Sequence, residues 1–281
     1  MKAALKFTVW RDRGISPAAF DDLGMIHPGG VDVERGQFRC DLPMEDERVP
    51  RILARLTAHG YRPWAGRMAK QPGEISIRIV RTYDREDFED APALLLNPVS
   101  RVDSGGRSTG DGRLVLETKE LGPKARLSIT GTYGLVVAAA LKELLEREGL
   151  VGLIFRPIEL DGPERAVAHR AGQFWELDSG VVLPPMAPRM RYYDAVDGAE
   201  VTGDGPPPFV YREGPDFPAI HSEPPELHFT AEAWDGVPLF DLARTHERPM
   251  RVPGIPIASP RLYRILAAWR VPVAWVPVRI D

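Results

Sequence analysis

The chain has 281 residues, 43 % hydrophobic and 27 % charged, with a formal net charge of −4. That length and apolar content allow one large domain or two ordinary ones with a real core. The acidic balance argues against a dedicated nucleic-acid binder, which needs a basic face to displace counterions. The single cysteine, Cys40, excludes a disulfide framework or a cysteine metal site within one chain.

The start of the chain meets charge after about four apolar residues, too few for a signal-peptide core. No apolar run approaches the roughly 18 residues of a membrane-spanning helix. The expected compartment is therefore the cytoplasm, with no membrane partner. Residues 1–98 are charge-balanced, so the acidic excess lies in 99–281. The 26 glycines and 28 prolines imply many short elements joined by stiff turns.

In chain order, Ala4–Trp10 alternates like a strand, with Leu5, Phe7 and Val9 on one face. A short strand is expected at Gln37–Leu42. Arg48–His59 fits a helix, with Val49, Ile52, Leu53 and Leu56 at three- and four-residue spacing, Pro50 in its first turn and Gly60 closing it. Glu74–Arg81 alternates Ile75, Ile77 and Ile79 and predicts one strand. Asp84–Ala91 predicts a short acidic turn or helix, and Asn97-Pro98 a domain boundary.

Further on, 113–117, 125–130, 153–160 and 171–178 read as strands, and Tyr133–Glu148 as a helix ended by Gly149. From 184 to 225 prolines and glycines crowd, and little regular structure is expected. The aromatics Tyr192, Tyr193, Phe209, Tyr211 and Phe217 should pin that stretch to a core. Short elements at 226–231 and 239–243 precede a closing helix and strand.

That ending repeats an earlier stretch. Laid over each other without a gap, 141–160 and 261–280 put Leu145 on Ile265, Phe155 on Trp275, Pro157 on Pro277, Ile158 on Val278 and Leu160 on Ile280. The fold class that follows is α+β: short helices on small, mostly antiparallel sheets, with a duplicated helix–strand module. The organisation is an N-terminal unit, 1–98, and a C-terminal unit, 99–281, unless the two form one continuous domain.

Candidate chemistry is sparse. His221-Ser-Glu-Pro-Pro-Glu-Leu-His228 is the most metal-like cluster, yet Pro224 and Pro225 prevent the helix that would align its histidines. The Gly-rich loop 104–112 lacks the lysine of a phosphate-binding loop. Asp241-Leu-Ala-Arg-Thr-His-Glu247 holds Asp, Thr and His close in sequence, but a triad is a matter of geometry. Asp41 beside Cys40 would raise the thiol pKa, which disfavours a nucleophile. Most of Trp64, Trp175, Trp234, Trp269 and Trp275 read as core, with one or two free to anchor an interface. Asp84, Glu86, Asp87, Glu89 and Asp90 form a dense acidic patch suited to a basic partner. No catalytic residue, cofactor or metal ligand is assigned.

The segments Leu239-Phe-Asp-Leu-Ala-Arg-Thr245, Ile257-Ala-Ser-Pro-Arg-Leu-Tyr-Arg-Ile-Leu266 and Trp275-Val-Pro-Val-Arg-Ile280 carry a resemblance. So do Tyr83-Asp-Arg-Glu-Asp-Phe-Glu-Asp-Ala-Pro-Ala-Leu-Leu-Leu96 and Phe155-Arg-Pro-Ile158. The layout resembles the immunity proteins that myxobacteria and related bacteria pair with polymorphic toxins, among them the double-CxxCG paralogues linked to swarm-inhibition toxins. This chain has no CxxCG, so no zinc site of that kind is implied. The resemblance implies a non-enzymatic protein that binds and neutralises a cognate toxin, and leaves room for a homo-oligomer. The alternatives are a scaffold module, or an enzyme in which two or more of His169, His221, Glu223, His228 and His246 meet in a pocket.

Overall fold

The computed structural model describes residues 2–11, 15–64, 74–76, 78–102, 107–108, 113–122, 126–131, 134–164, 166–167, 172–187, 190–194, 200–201, 209–213, 221–222, 227–247 and 254–281. Its fold is α+β, with small, mostly antiparallel sheets. Contacts divide the chain into two units. One comprises Met1–Asp84, Pro188–Thr202 and Pro208–Glu226; the other comprises Arg85–Ala187, Gly203–Pro207 and Leu227–Asp281.

The first unit is built around β1 (Lys2–Trp10), which pairs antiparallel with β2 (Gln37–Pro43) on one side and β3 (Arg78–Thr82) on the other. Val31–Asp32 and His221–Ser222 complete this sheet at its two ends. Alternation sends Leu5, Phe7 and Val9 of β1, and Phe38, Cys40 and Leu42 of β2, to one buried face. Helices α1 (Pro17–Ile26) and α2 (Arg48–Ala58) supply Ala19, Phe20 and Leu23, and Val49, Ile52 and Leu56, to the same core.

Helix α1 went unread in the sequence, although Ser16-Pro17 is a start signal. The Ser16 hydroxyl accepts from the Ala19 N–H at 3.3 Å and Pro17 takes the first position. The single strand expected at 74–81 is divided. Glu74–Ser76 pairs with Arg62–Trp64, whereas Arg78–Thr82 joins β1. The proline-rich stretch also carries more order than expected. Met190–Asp194 sits between Glu200–Val201 and Phe209–Glu213, with Tyr192 opposite Tyr211. Phe217 lies outside the described residues.

In the second unit, α3 (Arg85–Glu89) precedes β4 (Leu94–Pro98). Next come β5 (Leu127–Thr130), β6 (Leu135–Ala138), α4 (Ala139–Arg147), β7 (Leu153–Pro157) and β8 (Phe174–Ser179). The chain closes through β9 (Leu242–Arg244), β10 (Pro256–Ala258), α5 (Pro260–Ala268) and β11 (Val273–Pro277). The segment 94–98, expected to end the first unit, is thus an inner strand of the second.

The repeat seen in the sequence is larger in three dimensions. One sheet runs β7-β8-β6-β5-(Ser100–Val102); the other runs β9-β10-β4-β11. In each, a strand leads through a helix to a second strand, and an antiparallel strand fills the gap between the two. That inserted strand is β8 in the first module, between β6 and β7, and β4 in the second, between β10 and β11. The expected helix from 133 therefore begins at Ala139, because Val136 and Val137 are β-branched and Leu135–Val137 pairs on both sides. Both modules bury one core, with Leu141, Leu144 and Leu145 of α4 and Leu262 and Leu266 of α5 packed around Leu96, Leu127, Val137 and Leu177.

Each module helix ends by reversing into a left-handed residue. In the first this is Gly149, φ 61°; in the second it is Arg270, φ 52°. A Cβ in that region costs about 1–2 kcal/mol, a cost glycine avoids. Arg270→Gly is therefore expected to raise unfolding stability by about 0.5–1 kcal/mol, read as a shifted urea midpoint at unchanged slope.

Candidate functional site

The acidic segment 84–90 is displayed on a short scaffold. Asp84, exposed, closes the first unit, and the rest lies on or just after α3. Glu86 and Asp90 are exposed; Glu89 accepts from Arg85 Nε at 2.7 Å, and Asp87 is half-buried. The helix is held by its one aromatic residue. Phe88 packs on Tyr263 of α5 at 5.5 Å between ring centroids, and Tyr263 stands edge-on to Trp275 of β11 at 5.4 Å.

His221 belongs to the first unit and His228 to the second. His228 is buried and its Nδ1 lies 3.0 Å from Asp281 Oδ1. His246 is exposed, while His169 and Glu223 lie outside the described residues. Among the described residues, no three His, Cys, Asp or Glu side chains are grouped to hold a metal ion. The loop 104–112 lies outside them too, except for the short strand Arg107–Ser108. Cys40 is 1 % exposed, and its thiol is pushed up to about 12, chiefly by burial and then by Asp41. Among the tryptophans, Trp175, Trp234 and Trp275 are half-buried and Trp269 is 38 % exposed; the Trp64 side chain lies outside the description.

The stretch 241–247, read as a weak triad candidate, is a structural clasp. Asp241 is 5 % exposed. Its Oδ2 accepts from the Val151 N–H at 2.9 Å and from Arg261 Nη1 at 3.3 Å; its Oδ1 accepts from the Ser259 hydroxyl at 2.7 Å. Its own N–H donates to the Val151 carbonyl at 2.8 Å, and its carbonyl accepts from the Ser259 N–H at 2.9 Å. Ser259 in turn caps α5, accepting from the Leu262 N–H at 3.1 Å. One carboxylate thus joins the turn after α4 to the start of α5. Thr245 is used locally, donating to the Glu247 carbonyl and accepting from the Ile255 N–H, both at 2.9 Å. The Asp241 carboxylate and the Thr245 hydroxyl are thus both committed to structural partners.

A second polar group, not identified from the sequence, spans β7, β8 and β9. Arg244, 4 % exposed, donates from Nε to Asp178 Oδ1 at 3.1 Å, from Nη1 to the Gly254 carbonyl at 3.1 Å and from Nη2 to the Leu177 carbonyl at 3.4 Å. Burial lowers its guanidinium pKa, and Asp178 opposes that shift. Asp178 also accepts from Arg156 Nη1 at 2.9 Å. Glu176, two residues back on the same face of β8, stands 4.0 Å from Arg156. Its Oε2 is buried without a hydrogen-bond partner among the described residues. Burial, and then the neighbouring Asp178 charge, raises its pKa, against the pull of Arg156 and Arg244. The alternation of Phe174, Glu176 and Asp178 was a signal for a shared face, but nothing local pointed to Arg244, 66 residues from Asp178.

Two outcomes follow. Asp241→Ala leaves the Val151 N–H, the Ser259 hydroxyl and Arg261 short of an acceptor. It is expected to cost about 3–5 kcal/mol in chemical unfolding. Glu176 has a folded pKa above its unfolded one, so the folded state binds its proton more tightly. Its contribution is favourable below the unfolded pKa and is lost as pH rises through the folded value. Glu176→Gln should therefore stabilise the protein at pH 7, and the gain should vanish in acid, as measured by thermal melts across pH.

Comparison with protein-family models, curated proteins and solved structures returned no match.

Proposed function

We propose that this chain is a non-enzymatic binding protein of the immunity type, which engages and neutralises a cognate bacterial toxin through the acidic segment around α3. The observation that carries the reading is the way this segment is held. A five-residue helix has no stability of its own in water. Here the Phe88–Tyr263–Trp275 aromatic chain anchors it to the second module, leaving Glu86 and Asp90 exposed. A fixed acidic surface steers a basic partner and sets its orientation, while neighbouring apolar area supplies affinity. A contact of ordinary size would cover about 800 Å² on each partner.

The test is co-expression with each toxin encoded beside the gene, followed by binding kinetics for any that is neutralised. Glu86→Lys with Asp90→Lys is expected to slow association about tenfold at low salt and to flatten its salt dependence, with dissociation little changed. Failure to protect against, or bind, any neighbouring toxin would overturn the reading.

A further inference from the structure

Helices α1 and α2 of the first unit are tied to each other through two histidines, one at the C-cap of each helix. His27 caps α1 and His59 caps α2. The Nδ1 of His27 lies 3.1 Å from Nη1 of Arg48, the first residue of α2. The Nε2 of His59 lies 2.9 Å from Asp22 Oδ2 on α1, and Arg55 Nε lies 3.4 Å from that same oxygen. Both rings are half-buried.

The two partners make opposite demands on the ring they face. A guanidinium has only donors and keeps its proton, so Nδ1 of His27 is the acceptor. His27 is then a neutral ring with its proton on Nε2. An ionised carboxylate has only acceptors, so Nε2 of His59 donates to Asp22. A charged imidazolium donates there more strongly than a neutral ring. Protonation therefore removes the first tie and strengthens the second. Asp46 does not rescue the first, because Arg48 already occupies both of its oxygens. Oδ1 accepts from the Arg48 N–H at 2.9 Å and from Nε at 2.8 Å, and Oδ2 accepts from Nη2. These bonds hold the Asp46 carboxyl well below the usual carboxylate range, so the pair stays closed in mild acid. The exposed Glu47 acts on Arg48 from the N-cap of α2. From β2, the Phe38 ring stands edge-on to His27 at 6.1 Å, and Cys40 is an uncharged thiol.

We propose that this helix pair carries an acid-sensitive latch. In mild acid His27 gains a proton, lets go of Arg48 and frees the segment 27–32, while His59 keeps α2 docked on α1. Histidine changes its charge between about pH 5 and 8, so the latch works within that window. It is closed while His27 is neutral and opens as pH falls. The freed segment is the turn Pro28–Gly30 and the short strand Val31–Asp32, which ends the sheet beside β2. Its release uncovers β2 at Gln37 and Phe38.

Nitrogen-15 NMR of the histidine rings in the full chain, with amide exchange read as protection factors from about pH 7.5 to 5, tests this. At the upper end His27 is expected to be neutral with its proton on Nε2. Protection of the His27 and Gly30 amides should fall about tenfold across the range, while that of the His59 amide does not fall. His27→Asn places an amide oxygen near the position of Nδ1 and cannot titrate, so it should abolish the fall. A His27 proton on Nδ1 at the upper pH overturns the proposal, and that reading needs no variant. So does protection at 27–32 that is indifferent to pH, or a fall that persists in a folded His27→Asn protein.

Discussion

One carboxylate holds the second unit together. Asp241 is buried, and its charge is matched by an arginine, a hydroxyl and a backbone N–H drawn from two modules that are far apart in sequence. A buried carboxylate with a single partner would be a liability, because desolvation would exceed the attraction. Spread over three donors, with the backbone of the same residue clasping Val151 and Ser259, it becomes a register pin. The turn after α4 cannot move without disturbing the cap of α5. Gly152, in that turn, shows how close the approach is: at φ 90°, a Cβ there would stand 2.4 Å from the Leu242 carbonyl. The shared apolar core is wrapped around this polar joint.

The modules were finished differently on one scaffold. Where the first sets Lys142 between Phe155 and Trp175, at 5.2 and 4.7 Å, the second sets Tyr263 against Trp275 and adds Phe88 from α3. The helices are offset by one residue within the repeat, which is why Tyr263 rather than Leu262 takes the position of Lys142. An all-aromatic stack recruits another apolar side chain; a lysine over two rings does not, and here it turns to Glu146 at 2.6 Å. The acidic helix is therefore mounted on the second module, and the first keeps an exposed outer strand.

Legibility followed the range of the forces involved. Alternation in Leu5, Phe7 and Val9, and helical spacing in Val49, Ile52 and Leu56, were read directly because burial of one face imposes them residue by residue. The repeat was visible because Phe155 and Trp275, or Pro157 and Pro277, fill equivalent places. The split at Ala138 was not, since a short apolar run fits a strand and a helix start equally well. The acidic patch could be located but not its mounting, because Phe88 meets a ring 175 positions further along the chain. The roles of Asp241 and Arg244 were hidden for the same reason, their partners being as much as 90 and 67 residues away.

The inserted strands set the order in which the protein can be assembled. In the first module the strand that fills the gap, β8, follows closely behind β6, α4 and β7, so that sheet can close as soon as residue 179 has left the ribosome. In the second, β4 is made early and must wait for β10 and β11, which follow it far along the chain. Until then Leu94, Leu95 and Leu96 form an apolar strand with both edges unpaired. Such long-range closure is slow, and its intermediate is prone to aggregate. A chain stopped before β10 should thus be left with its first module formed and with β4 a target for chaperones.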